Sequence, residues 1–246
     1  MFVGADAADG AGRAVDEEGL AVRLADLALT LAAEEEPAEV LRQVVDAAAR
    51  EIPGTAHAGC ASVLGAGRPA DPACTDTLGG RLDALQYALG EGPCLDAVAL
   101  GAAVRANDLG SEDRWPGFTA AAVRQGVGSA LSFPLLVPAG PVGALTVYAD
   151  RAGAFPNDAV RAGEMLAAHA AIAVSHAREK AQLRLALDSR DTIGQALGML
   201  RERYGISARR AFRVLVARSQ DTNIKLRDVA AHLVETGELP QRGPHH

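Results

Sequence analysis

The sequence predicts an α+β domain of about 185 residues, followed by an all-α unit of about 55. Three observations carry this. Short apolar runs bounded by Gly and Pro alternate with helical patterns between residues 20 and 150. Two of them, SALSFPLLV and VGALTVYA, flank a Pro/Gly turn, the mark of an antiparallel hairpin. Beyond Phe155 the spacing is helical throughout, interrupted near Gly205 and before the last helix.

The elements follow in order. Residues 1–18, rich in Ala, Gly and Asp without periodicity, read as a disordered tail. Leu20, Leu24, Leu27 and Leu31 then recur at helical spacing up to Ala33. Pro37 suits a first helical turn, and Val40, Leu41, Val44, Val45 and Ala48 mark the helix that follows and ends near Pro53-Gly54. His57–Leu64 is short, apolar and bounded by Gly, so it reads as a strand. GAGRPADPAC reads as a turn, and Cys74–Leu78 as a second strand. Asp83–Leu89 is helical, Pro93 opens another helix, Ala103–Ala106 is a short strand, and Pro116–Gln125 a further helix. In the hairpin, Pro134 has no N–H for a ladder and belongs at an edge or a bulge. From Phe155-Pro156-Asn157-Asp158 a long helix carries Val160, Met165, Leu166, Ala170, Ile172 and Val174, and nothing breaks it before Leu187.

Three helices close the chain. The first, Asp191–Tyr204, holds Ile193, Ala196, Leu197 and Leu200 in register and stops at Gly205. Ser207 can cap the second, whose apolar residues are Ala211, Phe212, Leu215 and Val216. Asn223 can cap the third, whose stripe is Leu226, Val229, Ala230, Leu233 and Val234 and whose end is Gly237. The boundaries that follow are a tail 1–18, an α+β domain with its exit helix 19–187, a helical unit 188–238 and a tail 239–246.

Charge is distributed unevenly. The whole chain carries −7, yet residues 188–246 hold ten Arg/Lys against seven Asp/Glu, and residues 190–227 nine against three. A basic module on an acidic body points to an anionic partner for that module alone. No apolar run is long enough for a membrane span, and the N-terminus lacks the pattern of a signal peptide. Cys60, Cys74 and Cys94 form an odd set without a CxxC, which fits a reducing cytoplasm better than a disulfide framework or a zinc site. His57, His169 and His176 have no carboxylate or second ligand at metal spacing, so no metal is expected. No Ser-His-Asp set or phosphate loop is found.

The segment DTIGQALGMLRERYGISARRAFRVLVARSQDTNIKLRDVAAHLVE resembles the ANTAR domain. The matching residues are Ile193, Ala196, Gly198 and Leu200 in the first helix and Ala211, Phe212 and Leu215 in the second. In and before the third they are Ser219, Gln220, Asn223, Lys225, Leu226, Asp228, Val229 and Ala230. Leu197 departs from the pattern, standing where many members carry a basic residue. The segments YALGEGPCLDA, DLGSEDRWPGF, GVGSALSFPL and GALTVYA resemble a GAF sensor domain of the kind that precedes ANTAR in actinobacteria. The resemblance implies a GAF-like antiparallel sheet with flanking helices, a long linker helix, and a three-helix ANTAR domain. It implies no enzymatic activity, a homodimer, an unidentified small ligand or redox signal at the GAF domain, and binding of paired RNA stem-loops in transcription antitermination.

The residues expected to meet RNA are Arg190, Gln195, Arg201, Arg203, Ser219, Gln220, Asn223, Lys225 and Arg227. Phosphates would be held by the cations and unpaired loop bases by polar and stacking groups, Tyr204 among them although it reads more readily as core. Arg209, Arg210 and Arg213 read equally as plain surface. Gly194 and Gly198, four apart, imply close approach by a neighbouring backbone, with protein packing as the cause. Cys94, Trp115, Phe133 and Tyr148 are the candidate lining of the GAF pocket; Cys94 reads first as a small buried residue. Two other functions are weighed: a DNA-binding helix-turn-helix over residues 207–236, and a GAF-type free methionine sulfoxide reductase using the cysteines.

Overall fold

A computed structural model of the protein describes residues 17–64 and 68–241. The expected tails therefore lie largely outside the described residues, and the first helix already runs from Glu17. The chain divides into two compact units, Met1–Arg178 and Glu179–His246, each with its own core.

In the first unit, α1 (Glu17–Ala33) and α2 (Pro37–Glu51) precede the sheet. The strands are β1 (His57–Leu64), β2 (Arg68–Cys74), β3 (Val104–Ala106), β4 (Ser129–Val137) and β5 (Gly140–Ala149). Three α-helices lie between β2 and β4 in sequence: α3 (Thr77–Leu89), α4 (Pro93–Leu100) and α5 (Pro116–Arg124). The sheet is antiparallel throughout, in the order β2-β1-β5-β4-β3. The last helix of this unit, α6 (Asn157–Tyr204), continues without interruption into the second.

Both faces of the sheet are covered, so β4 and β5 are nearly continuous apolar runs instead of alternating ones. On one face Leu131, Phe133, Leu135, Leu145 and Val147 pack with the apolar residues of α1, α2 and α6. On the other Ala130 and Tyr148 pack with Leu82, Trp115 and Phe118. Gly163 seats α6 on the first face: a Cβ there would lie 2.0 Å from the Phe133 ring, so any larger residue would force the ring or the helix to shift.

Two expectations need correction here. The stretch read as a turn over residues 65–74 contains strand β2, paired with β1 from Leu64↔Arg68 to Gly59↔Cys74. Pro69 and Pro72 are tolerated because β2 is an edge strand, with one neighbour to pair and no ladder to break on the other side. Cys74–Leu78 is not a strand. Asp76 accepts the Gly79 N–H at 2.8 Å through its side chain and thereby starts α3 at Thr77. Pro134 lies in the part of β4 beyond Ser132, where pairing with the three-residue β3 has ended, and a register shift follows at Leu135/Leu136.

In the second unit the final turns of α6, α7 (Ala208–Thr222) and α8 (Leu226–Thr236) enclose Ala196, Leu200, Ala211, Leu215, Val229, Ala230 and Leu233. Gly205, at φ +60°, ends α6. Ser207 caps α7 by accepting the Arg210 N–H. Asn223 does not cap α8 at its N-terminus: it is the C-cap of α7 in the left-handed region, φ 55°, and Lys225 takes the N-cap position of α8. Ser219 Oγ donates to the Ile224 carbonyl at 2.6 Å and closes the turn.

Candidate functional site

Each unit presents one candidate site. In the first unit it is a buried polar network on the sheet face covered by α3, α4 and α5. Tyr148 Oη donates to Asp83 Oδ1 at 2.6 Å and accepts from Gln86 Nε2 at 2.7 Å. Gln86 Oε1 in turn accepts the Cys94 N–H at 2.7 Å, a donor at the start of α4 that the helix itself leaves without an acceptor. Asp83 and Gln86 are three apart on α3 and so project from the same side of the helix. Gly59 on β1 makes room for the carboxylate, since a Cβ there would sit 2.0 Å from Asp83 Oδ2. Burial pushes the Asp83 carboxyl up to about 7, and the Tyr148 hydroxyl holds it back only in part.

Of the four expected pocket residues, three share this face. Tyr148 and Cys94 belong to the network, and Trp115 is buried beside it, its Nε1 donating to Asp96 Oδ2 at 2.9 Å and its ring lying under the Arg114 guanidinium at 4.2 Å. Phe133 does not share it; it points to the opposite face, against α6. Asp83 and Gln86 were not anticipated. Their signal was two polar residues amid the apolar residues of the LDALQYAL segment, close to Leu82.

The two buried thiols, Cys60 and Cys94, are ill placed for nucleophilic chemistry. Burial pushes Cys94 up to about 12, with the Asp83 charge adding to it, and burial likewise raises Cys60. Cys60 pairs with Leu145 and faces the α6 side, while Cys94 lies on the side of Tyr148, so a layer of sheet separates them. All three cysteines are free. Among the described residues no cluster of three or more His, Cys, Asp or Glu is arranged to hold a metal. His57 instead bridges two carboxylates, Nδ1 to Asp76 at 2.5 Å and Nε2 to Asp150 at 3.2 Å. Burial works against its charge, but Asp76 and then Asp150 outweigh it, and the imidazole titrates above the ordinary histidine value.

In the second unit, Arg190, Gln195, Arg201, Arg203, Gln220, Asn223, Lys225 and Arg227 are exposed and Ser219 is half-buried. Their surroundings sort them. Arg203 donates to the Gly237 carbonyl at 2.6 Å and thereby serves the end of α8. Arg227 is paired with Asp228 at 3.2 Å. Ser219 is occupied by Ile224. Arg190, Arg201 and Lys225 have no carboxylate partner among the described residues, and neither do Arg209, Arg210 and Arg213 on α7. Tyr204 is 59% exposed and Phe212 43%, so neither is the core residue that periodicity indicated. Gly194 and Gly198 have open space where a Cβ would stand, so no packing among the described residues accounts for them.

Comparison with known families matches residues 34–175 to the GAF domain and residues 181–234 to the ANTAR domain. No curated protein matches the chain by sequence. Among solved structures, the GAF domain of a phosphoenolpyruvate-protein phosphotransferase from Coxiella burnetii is similar at 16% identity and a TM-score of 0.54, covering 68% of this chain and 99% of that one. A putative GAF sensor protein from Burkholderia vietnamiensis gives 16%, 0.51, 68% and 98%. The free methionine-R-sulfoxide reductase from Neisseria meningitidis, in complex with its substrate, gives 16%, 0.51, 67% and 93%. At such identities the likeness is one of fold.

Proposed function

The chain belongs to the GAF domain family and carries an ANTAR domain behind it, and on that premise we propose that it is a signal-responsive RNA-binding regulator of transcription antitermination. Its GAF domain takes up a small ligand or redox signal, and its ANTAR domain holds paired stem-loops of a nascent transcript. The observation that carries this reading is the set of six exposed cations without carboxylate partners, Arg190, Arg201, Arg209, Arg210, Arg213 and Lys225, on a unit otherwise attached to an acidic body. Cations left unneutralised by the fold are available to displace counterions from phosphates. The Asp83–Tyr148–Gln86 network is the polar part of the sensor face. Its groups could exchange their mutual hydrogen bonds for those of a ligand.

A homodimer fits the apolar residues that the fold leaves exposed. Val22 and Leu29 on α1, and Met165 and Ile172 on α6, are pairs seven apart, the spacing of a helix–helix seam. No helix among the described residues is long and apolar enough to cross a membrane, and three free thiols suit a reducing cytoplasm. The enzymatic reading loses support from Cys60 and Cys94: burial suppresses both thiolates, and the two lie on opposite faces of the sheet.

The test is binding of the full chain to stem-loop RNA between 50 and 200 mM salt, with duplex DNA as competitor. If about five cations reach phosphates, log affinity should fall against log salt with a slope of about −3.5. Preference for duplex DNA, or association insensitive to salt, overturns the reading.

A further inference from the structure

Two of the three free, exposed cations on α7, Arg209 and Arg213, share a side of the helix with an exposed aromatic ring. Arg209, Phe212, Arg213, Val216 and Gln220 follow one another at intervals of three, one, three and four residues, which places them on one side of the helix. Arg209, Arg213 and Gln220 are exposed, Phe212 is 43% exposed, and Val216 is half-buried. Ala211 and Leu215, on the other side, are buried in the core. The single acid of α7, Asp221, lies about 100° further round the helix from Gln220. On α7 itself the face is therefore aromatic and cationic and carries no carboxylate.

We propose that this face of α7 grips an unpaired loop nucleotide: the Phe212 ring stacks on the base, Arg209 and Arg213 hold the flanking phosphates, and Gln220 reads a base edge. The proposal rests on the RNA-binding reading and assigns its site. An aromatic plane among unneutralised guanidiniums is the chemistry that receives a splayed base. A protein partner would require a wider apolar stripe than Phe212 and a half-buried Val216 provide. The start of α8 also offers a free cation, Lys225, but it has no exposed aromatic ring, and Asp228, paired with Arg227, puts a carboxylate in its first turn, so it is the poorer platform for a base.

The test uses the full chain and a stem-loop RNA enriched on it from a pool with randomised loops, then resynthesised with 2-aminopurine at each loop position in turn. Phe212→Ala should weaken binding about tenfold or more, abolish the fluorescence quenching at one loop position, and leave the salt slope unchanged. Phe212→Tyr should behave as wild type. Phe212→Leu, which keeps an apolar side chain but has no π face, should bind as weakly as the alanine variant. Arg209→Ala should lower the salt slope by about 0.7. Unaltered affinity and quenching in both the leucine and the alanine variants overturns the assignment, with the RNA reading intact. A change in oligomeric mass without a change in quenching overturns it in favour of a contact between copies. Failure of the wild-type chain to enrich any stem-loop overturns the RNA reading, and this site with it.

Discussion

Asp83 is a carboxyl group taken almost entirely out of water and given a tyrosine hydroxyl and no cation. Burial raises its folded-state value to about 7, above the ordinary aspartate value of the unfolded chain. The folded protein thus holds a proton that the unfolded one releases, and stability should fall as pH rises from about 4 to about 7. The loss across that window is on the order of a few kcal/mol. Asp83→Asn keeps the acceptor for Tyr148 and removes the titration, so thermal unfolding of this variant should show a flatter profile between pH 5 and 8 and a higher Tm than wild type at pH 8. His57 contributes with the same sign but over a higher window: its stabilisation is complete below the ordinary histidine value and is lost as pH rises through the raised one. The asparagine variant should therefore keep a residual slope above the ordinary histidine value of about 6.5.

Among elements, the turn between α7 and α8 depends on Asn223 at φ 55°, where a residue with a Cβ is disfavoured unless it is Asn or Asp. Asn223→Gly should leave the Tm of the second unit within a degree or two of wild type, while Asn223→Ala should lower it by the equivalent of about 1 kcal/mol. RNA binding by the glycine variant then reports on the side chain alone. Sequence reasoning reached this residue but assigned it to the wrong helix end, because Asn suits both an N-cap and a left-handed C-cap. The hairpin, α2 and the Ser207 cap were legible because each is written in local spacing or in one capping residue. Strand β2 was not, because Pro69 and Pro72 argue against a strand unless the neighbouring edge is known to be empty. Likewise the bond between Tyr148 and Asp83 joins residues 65 apart and leaves no periodic trace. Phe212 fell into the apolar stripe of its helix because spacing defines the stripe's direction and not how far the partner helices cover it.

At the scale of the whole molecule, charge and core are partitioned together. Residues 188–246 carry a net +3 and the rest of the chain −10, and each unit buries its own apolar cluster. Leu233, fully enclosed in the second unit, makes the partition testable. Leu233→Ala removes buried methyl groups worth about 2–5 kcal/mol. Calorimetry of the full chain should resolve two transitions, with only one lowered in this variant; a single transition moving as a whole would show the cores to be one cooperative block. The sheet of the first unit has a consequence of its own. Because Cys60 and Cys94 stand on either side of one backbone layer, an alkylating reagent can reach each only when that side's helices lift away. The rates at which the two sulfurs are capped would time the breathing of the two layers independently, without any label being introduced.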